Sequence, residues 1–166
     1  MLPAKLRDMN ILQDGVSFRG VATEVTPPKL TKKMESYRHG LGNLKLFDGL
    51  EDLDMEWTAS GFSLEPYKAF GNTSIDGVQL RFVGAYQNPQ TNAVQAVEIT
   101  VRGQHEEIDA GNQKVGDEGS TKIKTACSYY KLTVDNVDVI EIDILNSVFV
   151  AFGEDVYANI RQAIGI

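Results

Sequence analysis

The chain has 166 residues, of which 42% are apolar, and 15 are glycine, which suits one turn-rich domain with a real core over residues 1–166. The formal net charge of −7 argues against a protein that binds nucleic acid by neutralising phosphates. One cysteine, Cys127, excludes an internal disulfide, and the longest apolar run, Val148 to Phe152, is far too short to span a membrane. "MLPAKLRDMN" lacks the apolar stretch of a signal peptide, so the expectation is a protein made in a cytoplasm.

Strand patterns dominate along the chain. "VSFRGVATEVT" alternates Val21, Thr23 and Val25 with Ala22 and Glu24 and stops at Pro27-Pro28. "KLTKKMESYRHGLGN" is basic and without clean periodicity, and reads as a long ordered loop. Leu44 to Asp48 and Leu53 to Ser60 read as a hairpin turned at Asp48-Gly49. "EPYKAFGN" has Pro66 at a first-turn position and Gly71 as a stop, predicting a short helix. Three strong strand runs follow. Val78, Leu80, Phe82 and Tyr86 share a face of the first, and Val97, Ile99 and Val101 oppose Glu98, Thr100 and Arg102 in the second. After an exposed loop over "HEEIDAGNQKVGDEGST", the third runs through "STKIKTACSYYKLTV". "VIEIDILNSVFV" sets Ile140, Ile142 and Ile144 against Glu141 and Asp143. Val156, Ile160 and Ile164 lie at helical spacing, with Glu154 and Asp155 placed for a first turn, predicting an amphipathic C-terminal helix laid on a sheet.

Charge is unevenly spread. Residues 1–50 carry a net +3 and residues 51–166 a net −10. In "EDLDMEWTAS", Asp52, Asp54, Glu56 and Thr58 alternate with Leu53, Met55, Trp57 and Ala59. Two acids on next-but-one strand positions stand roughly 7 Å apart, a spacing that a glycosidase pair could use. Ionised at an effective dielectric near 20, however, they repel by about 2.4 kcal/mol per pair. A row of them is tolerable only on a wet face, and with neither an aromatic cleft nor a basic partner expected beside it, a solvated surface is the leading reading.

Other chemistry is sparse. His39 and His105 have no ligand-spaced partner, and HExxH, CxxC, Walker and GxSxG patterns are absent. No catalytic residue, metal site or cofactor is expected. Cys127 reads as a small core residue. Trp57 and Tyr129-Tyr130 suit core packing better than a ligand platform, although a carbohydrate-binding β-sandwich stays open as an alternative from another class.

The blocks "DGVSFRGVATEVTPPKLTKKMESYRHG", "DGVQLRFVGAY", "VEITVRGQHEEIDAG", "ACSYYKLTVDN" and "IEIDILN", in this order and with the "AIGI" terminus, resemble the major tail tube proteins of contractile-tailed bacteriophages. Tube subunits of R-type pyocins are similar. The resemblance runs from about Leu6 to Ile166. It implies a mainly β, antiparallel sandwich or barrel-like subunit with a long hairpin, a short mid-chain helix and a C-terminal helix. Six copies would form a ring with a continuous lumenal β-barrel, and rings would stack into a hollow tube, with the mid-chain hairpin and edge loops making ring-to-ring contacts. The implied partners are further copies of the chain, the tail sheath, baseplate and tail terminator proteins, and a tape measure protein in the lumen during assembly. DNA would pass through without specific binding, and the subunit would not insert into membranes. The implied location is the virion tail, assembled in the host cytoplasm. A ring protein of the type VI secretion kind is the nearest alternative.

On this architecture Asp52, Asp54, Glu56 and Thr58 are expected to face the lumen, with Glu98, Thr100, Glu141 and Asp143 as further candidates and Arg102 fitting a purely acidic lining poorly. A large barrel leaves an aqueous channel, and an acidic wall would keep DNA sliding within a screening length of about 8 Å. Lys29, Lys32, Lys33 and Arg38 are candidates to meet acids of the next ring, such as Glu106, Glu107 and Asp109. Glu154, Asp155 and Arg161 are candidates to face the sheath.

Overall fold

The computed structural model describes all residues from Met1 to Ile166. Ten strands form one antiparallel sheet and two more form a separate hairpin. In chain order these are β1 (Lys5–Gln13), β2 (Val16–Ser17), β3 (Ala22–Thr26), β4 (Lys32–His39), β5 (Gly42–Leu50), β6 (Leu53–Ser60), α1 (Glu65–Phe70), β7 (Val78–Gln87), β8 (Val94–Asp109), β9 (Ser120–Val134), β10 (Val137–Asp143), β11 (Val148–Ala151), β12 (Glu154–Asp155) and α2 (Ala158–Ala163).

Strand β9 organises the sheet. On one edge it pairs with β8 throughout, from Val97 opposite Val134 to Asp109 opposite Lys122. On the other edge Ser120 to Cys127 pair with β6, and Tyr129 to Val134 pair with β10. The sheet therefore forks at Ser128. One arm continues β6-β3, the other β10-β11-β12, and β8 leads on to β7, β1 and β2. At the fork a register shift separates Arg102 from Gly103. A Cβ on Gly103 would lie 1.9 Å from the Ala126 carbonyl oxygen, so only glycine lets the two backbones come this close.

The arms curl around one core. Leu53, Met55, Trp57 and Ala59 from β6 meet Val78, Leu80 and Phe82 from β7, with Ile99, Val101, Ile123, Tyr130, Ile142 and Ile11 between them. Phe18 closes the gap between β1 and β3, its ring 4.8 Å from that of Trp57. A polar cluster crosses this core. His105 lies between Thr125, whose Oγ1 is 2.9 Å from Nδ1, and Gln13, whose Oε1 is 2.8 Å from Nε2. Gln13 Nε2 donates to the Glu65 carbonyl at 2.9 Å, so its Oε1 is the acceptor for His105 Nε2–H. The remaining imidazole nitrogen then accepts from Thr125, and the neutral ring is fully satisfied.

Tight turns set several boundaries. Asp14-Gly15, Asp135-Asn136 and Phe152-Gly153 all have positive φ at both central positions, the geometry of two-residue hairpins. The last of these corrects the C-terminal expectation: Glu154 and Asp155 continue a hairpin as β12, and α2 is a six-residue helix beginning at Ala158. Asp48-Gly49 is not a turn either. Strand β5 runs through it to Leu50, with Gly49 at φ +101 where the β4–β5 register shifts, so the glycine forms a bulge. The expected pairing of residues 44–48 with β6 is accordingly absent, and the expected basic loop is strand β4. Likewise "HEEID" belongs to β8, so that loop shortens to residues 110–119.

Burial keeps the His105 ring neutral, holding its pKa below the ordinary 6.5. Its contribution to stability is complete above that value and is lost as pH falls through the lower native value. The thermal midpoint should fall as the pH is taken below 6.5, and His105→Gln should flatten that slope. Gly103→Ala should cost about 3 kcal/mol through backbone displacement, read by chemical denaturation.

Candidate lumenal and stacking surfaces

The side of the sheet away from the core is polar over most of its width. Asp54, Glu56, Thr58 and Ser60 alternate outward along β6 while their neighbours are buried. Asp52 is not on this strand; it lies in the two-residue turn with Glu51 before β6. Glu98, Thr100 and Arg102 continue the same face along β8, opposite Thr133, Lys131 and Tyr129 of β9. Glu141 and Asp143 extend it along β10, opposite Lys131 and Tyr129. The structure thus gathers the candidate strand residues on one surface.

Cations stand among these acids, contrary to the expectation of none beside the β6 row. Lys124 is directly opposite Glu56, and Lys122 opposite Thr58. Arg81 donates to both carboxylate oxygens of Glu98, at 2.6 and 3.1 Å. Lys131 Nζ is 3.5 Å from Asp138 and 3.8 Å from Glu141. The Arg102 guanidinium sits 3.9 Å from the Tyr129 ring centroid, a cation–π contact. Tyr129 in turn donates to Glu141 at 2.9 Å. Partial burial and the Glu141 carboxylate push its hydroxyl up to about 12, so it remains a donor. The Arg81 guanidinium holds Glu98 below the usual carboxylate range. The face is a charge-compensated mosaic. Its cations were legible by the alternation that exposed the acids, since "STKIKTAC" puts Lys122 and Lys124 against Ile123 and Thr125.

The candidate stacking residues divide. Lys32, Lys33 and Arg38 are exposed on β4, part of a hairpin that projects from the body with β5 as its only strand partner. Lys29 instead lines a hollow of its own chain with Asp52, Asp54, Glu56 and Lys124. Glu106, Glu107 and Asp109 are at the end of β8, and Lys124 lies 3.7 Å from Glu106. Of the candidate sheath residues, Asp155 and Arg161 form a two-pronged ion pair, and Arg161 also donates to the Ser147 carbonyl at 3.0 Å. Arg161 holds the Asp155 carboxyl below its ordinary range. This pair clips α2 to the β10–β11 turn, leaving Glu154 as the free charge.

Catalytic and platform readings have little to stand on. Burial pushes the Cys127 thiol up to about 12, so it is not a thiolate nucleophile. Trp57 is 1% exposed and Tyr130 is buried with it in the core, and Tyr129 is occupied by Arg102 and Glu141. The carbohydrate-platform alternative loses its aromatic surface. No three His, Cys, Asp or Glu side chains are grouped to hold a metal ion.

A curled antiparallel sheet with a charged outer face, open strand edges and an unsupported hairpin defines an assembly subunit. Its chain belongs to the phage tail tube protein FII family, whose profile matches residues 3–165. It is 39% identical to the tail tube protein of Escherichia phage P2 over 170 residues, covering 99% of both chains. It is 35% identical to the major tail tube protein of Serratia phage KSP20, covering 99% of this chain and 98% of that one. Among solved structures the fold is similar to a chain of the PVC extracellular contractile injection system's sheath–tube complex, with TM-score 0.60 and 9% identity, covering 79% of this chain and 91% of that one. It is also similar to the tube-terminating cap of the anti-feeding prophage, with TM-score 0.59 and 10% identity, covering 80% and 92%. The protein is a structural tail tube subunit, and its place is the virion tail.

Proposed function

We propose that six copies join through the open sheet edges into a ring, that rings stack into a tube, and that the polar face formed by β6, β7, β8, β9 and β10 lines the lumen through which DNA passes. The observation that carries this reading is the two-sidedness of a sheet whose cations are mostly engaged by its own carboxylates or aromatic ring. A duplex binds proteins mainly where free lysines and arginines release its counterions. On this face Arg81 is held by Glu98, Lys131 by Asp138 and Glu141, and Arg102 by Tyr129. The lining would therefore resist sticking by occupying its cations, and need not be uniformly acidic. Asp54, Glu56, Thr58, Glu98, Thr100, Glu141 and Asp143 keep their lumenal assignment; Asp52, in the turn, moves to the rim.

The β4–β5 hairpin would supply the ring-to-ring contact. A two-stranded ribbon alone is marginal in water, and this one exposes Met34 and Phe47 on one face and Tyr37, Leu44 and Leu46 on the other. Neighbouring copies would cover both, with Lys32, Lys33 and Arg38 meeting acids across the junction. The similarity in fold to chains of sheath–tube, cap and baseplate assemblies supports a tube wrapped by a sheath and ended by baseplate and terminator proteins. A tape measure protein would occupy the lumen during assembly. Glu154 is the remaining candidate for sheath contact.

Purified protein should form rings or hollow tubes by negative-stain microscopy. Tubes of the Glu98→Gln/Asp138→Asn/Glu141→Gln variant, with Arg81 and Lys131 released, should retain duplex DNA at low salt several-fold more than the wild type. Equal retention by both would remove the electrostatic argument.

A further inference from the structure

The row of outward residues at the sheet's fork holds a cation that no carboxylate engages. Gln79 on β7 stands opposite Arg102 on β8, Arg102 opposite Tyr129 on β9, and Tyr129 opposite Asp143 on β10. The Arg102 guanidinium carbon lies 3.9 Å from the Tyr129 ring centroid, so one flat side of the group is spent on the ring while the N–H donors in its plane are not. Arg102 forms no ion pair within the chain. Glu141 and Asp143 stand beyond the ring on β10, and Glu141 takes the Tyr129 hydroxyl.

These groups open onto a hollow of about 270 Å³. Gln79, Thr100 and Thr133 offer it neutral amide and hydroxyl groups. Its single carboxylate, Glu98, is turned to Arg81, which binds both of its oxygens. Lys131 adds a second cation, held only loosely at 3.5 and 3.8 Å by Asp138 and Glu141. Positive charge is thus left over in a recess whose hydrogen-bonding groups are already in place. The backbone fixes it there. Tyr129 pairs with Arg102 but Cys127 pairs with Gly103, so Ser128 is an extra residue in β9, a bulge that re-aims the side chains beside it. Ser128 Oγ donates to the Ile75 carbonyl at 3.1 Å and lies 3.4 Å from that of Arg102, which holds the bulge in place.

We infer that this hollow is a carboxylate-binding site with Arg102 as its fork, and that its ligand is a glutamate or aspartate side chain of a protein segment running along the channel. A guanidinium matches a carboxylate in a planar, two-pronged contact. A duplex carries its phosphates on a stiff cylinder and meets the side chains that project from a wall, whereas Arg102 is laid against Tyr129 and has to be reached. A carboxylate on a flexible stem reaches it. In the ring the site recurs once per subunit at one level, and again in every ring. Contacts that are individually weak on a wet surface then add by multivalency. The inference rests on the lumenal reading above and names a ligand class for it.

The test measures how much of a dye-labelled helical peptide, built of alanine and glutamine with glutamates every second turn, roughly seven residues apart, is retained by purified tubes at low salt. Wild-type tubes should retain it, and Arg102→Gln should cut retention at least about fivefold. Arg102→Lys, which keeps the charge but loses the planar fork, should also fall several-fold. Lys122→Gln, which removes an exposed cation without an ion pair from the same face, should leave retention unchanged, and retention of duplex DNA should not depend on Arg102. Equal losses for Arg102→Gln and Lys122→Gln would reduce the effect to net charge, and a matching loss of DNA retention would make the ligand a phosphate; either result overturns the site. Because the hollow lies within one chain, the unassembled subunit gives an independent reading: acetate should shift the Arg102 Nε–H resonance saturably, and no shift would overturn the site. The same peptide fixed to beads wider than the tube should capture no tubes; capture that disappears in Arg102→Gln would keep the site and overturn the lumenal reading.

Discussion

Strand β9 is bonded on both edges along nearly its whole length, and on one edge it exchanges β6 for β10 at Ser128. That exchange requires β8 to come within contact of the Ala126 carbonyl, which Gly103 alone permits. With the fork in place, β6 and β7 can curl to share one core, since strands on a forked sheet turn different ways from a common trunk. Trp57 and Phe18 then fill the space between the arms. The buried Gln13–His105–Thr125 cluster ties β1, β8 and β9 at the same level and spans the interior without an unsatisfied polar group of its own.

The same alternation that buries one side of these strands places charge on the other. Isolated surface ion pairs contribute little stability, typically under about 1 kcal/mol, so the Arg81–Glu98 and Lys131–Glu141 contacts are poor candidates for holding the fold together. Their consequence is for what the surface presents to a polyanion. A compensated face has little long-range field beyond about 8 Å at physiological salt, and few unengaged cations at contact. The hairpin is different, since its charge is unpaired and its apolar groups are uncovered.

Much of the sheet was legible in the chain. Val78 to Phe82, Val97 to Val101 and Leu53 to Ala59 face a core of their own chain, so period two stands out and both strands and faces follow from it. Leu44 to Asp48 also reads as strand and lies in β5, but β4 was illegible, and β5 pairs with it in place of β6. Along β4 Met34 shares its face with Ser36 and Arg38, and Tyr37 shares the other with Lys33 and Glu35, all exposed, so neither face is apolar enough to mark the period. Asp48-Gly49 then imitated a turn signal that the chain uses as a bulge. At the C-terminus Val156, Ile160 and Ile164 keep helical spacing but remain exposed, so their period marked a surface and said little about where the helix begins. The acids of the candidate lumen were found from their spacing. The exposed face of Lys122 and Lys124 was legible by the same alternation, but which acid each cation meets depends on cross-strand register, which a single strand's pattern does not reveal.

The central claim is that the face carrying Glu98, Arg81, Lys131 and Glu141 surrounds an open channel. A cryo-EM map of the assembled tube at side-chain resolution tests it most directly. The account predicts those four side chains, with Glu56 and Lys124, lining the lumen and Trp57 buried behind them. A map with that face turned outward, or sealed against a neighbouring subunit, would contradict it.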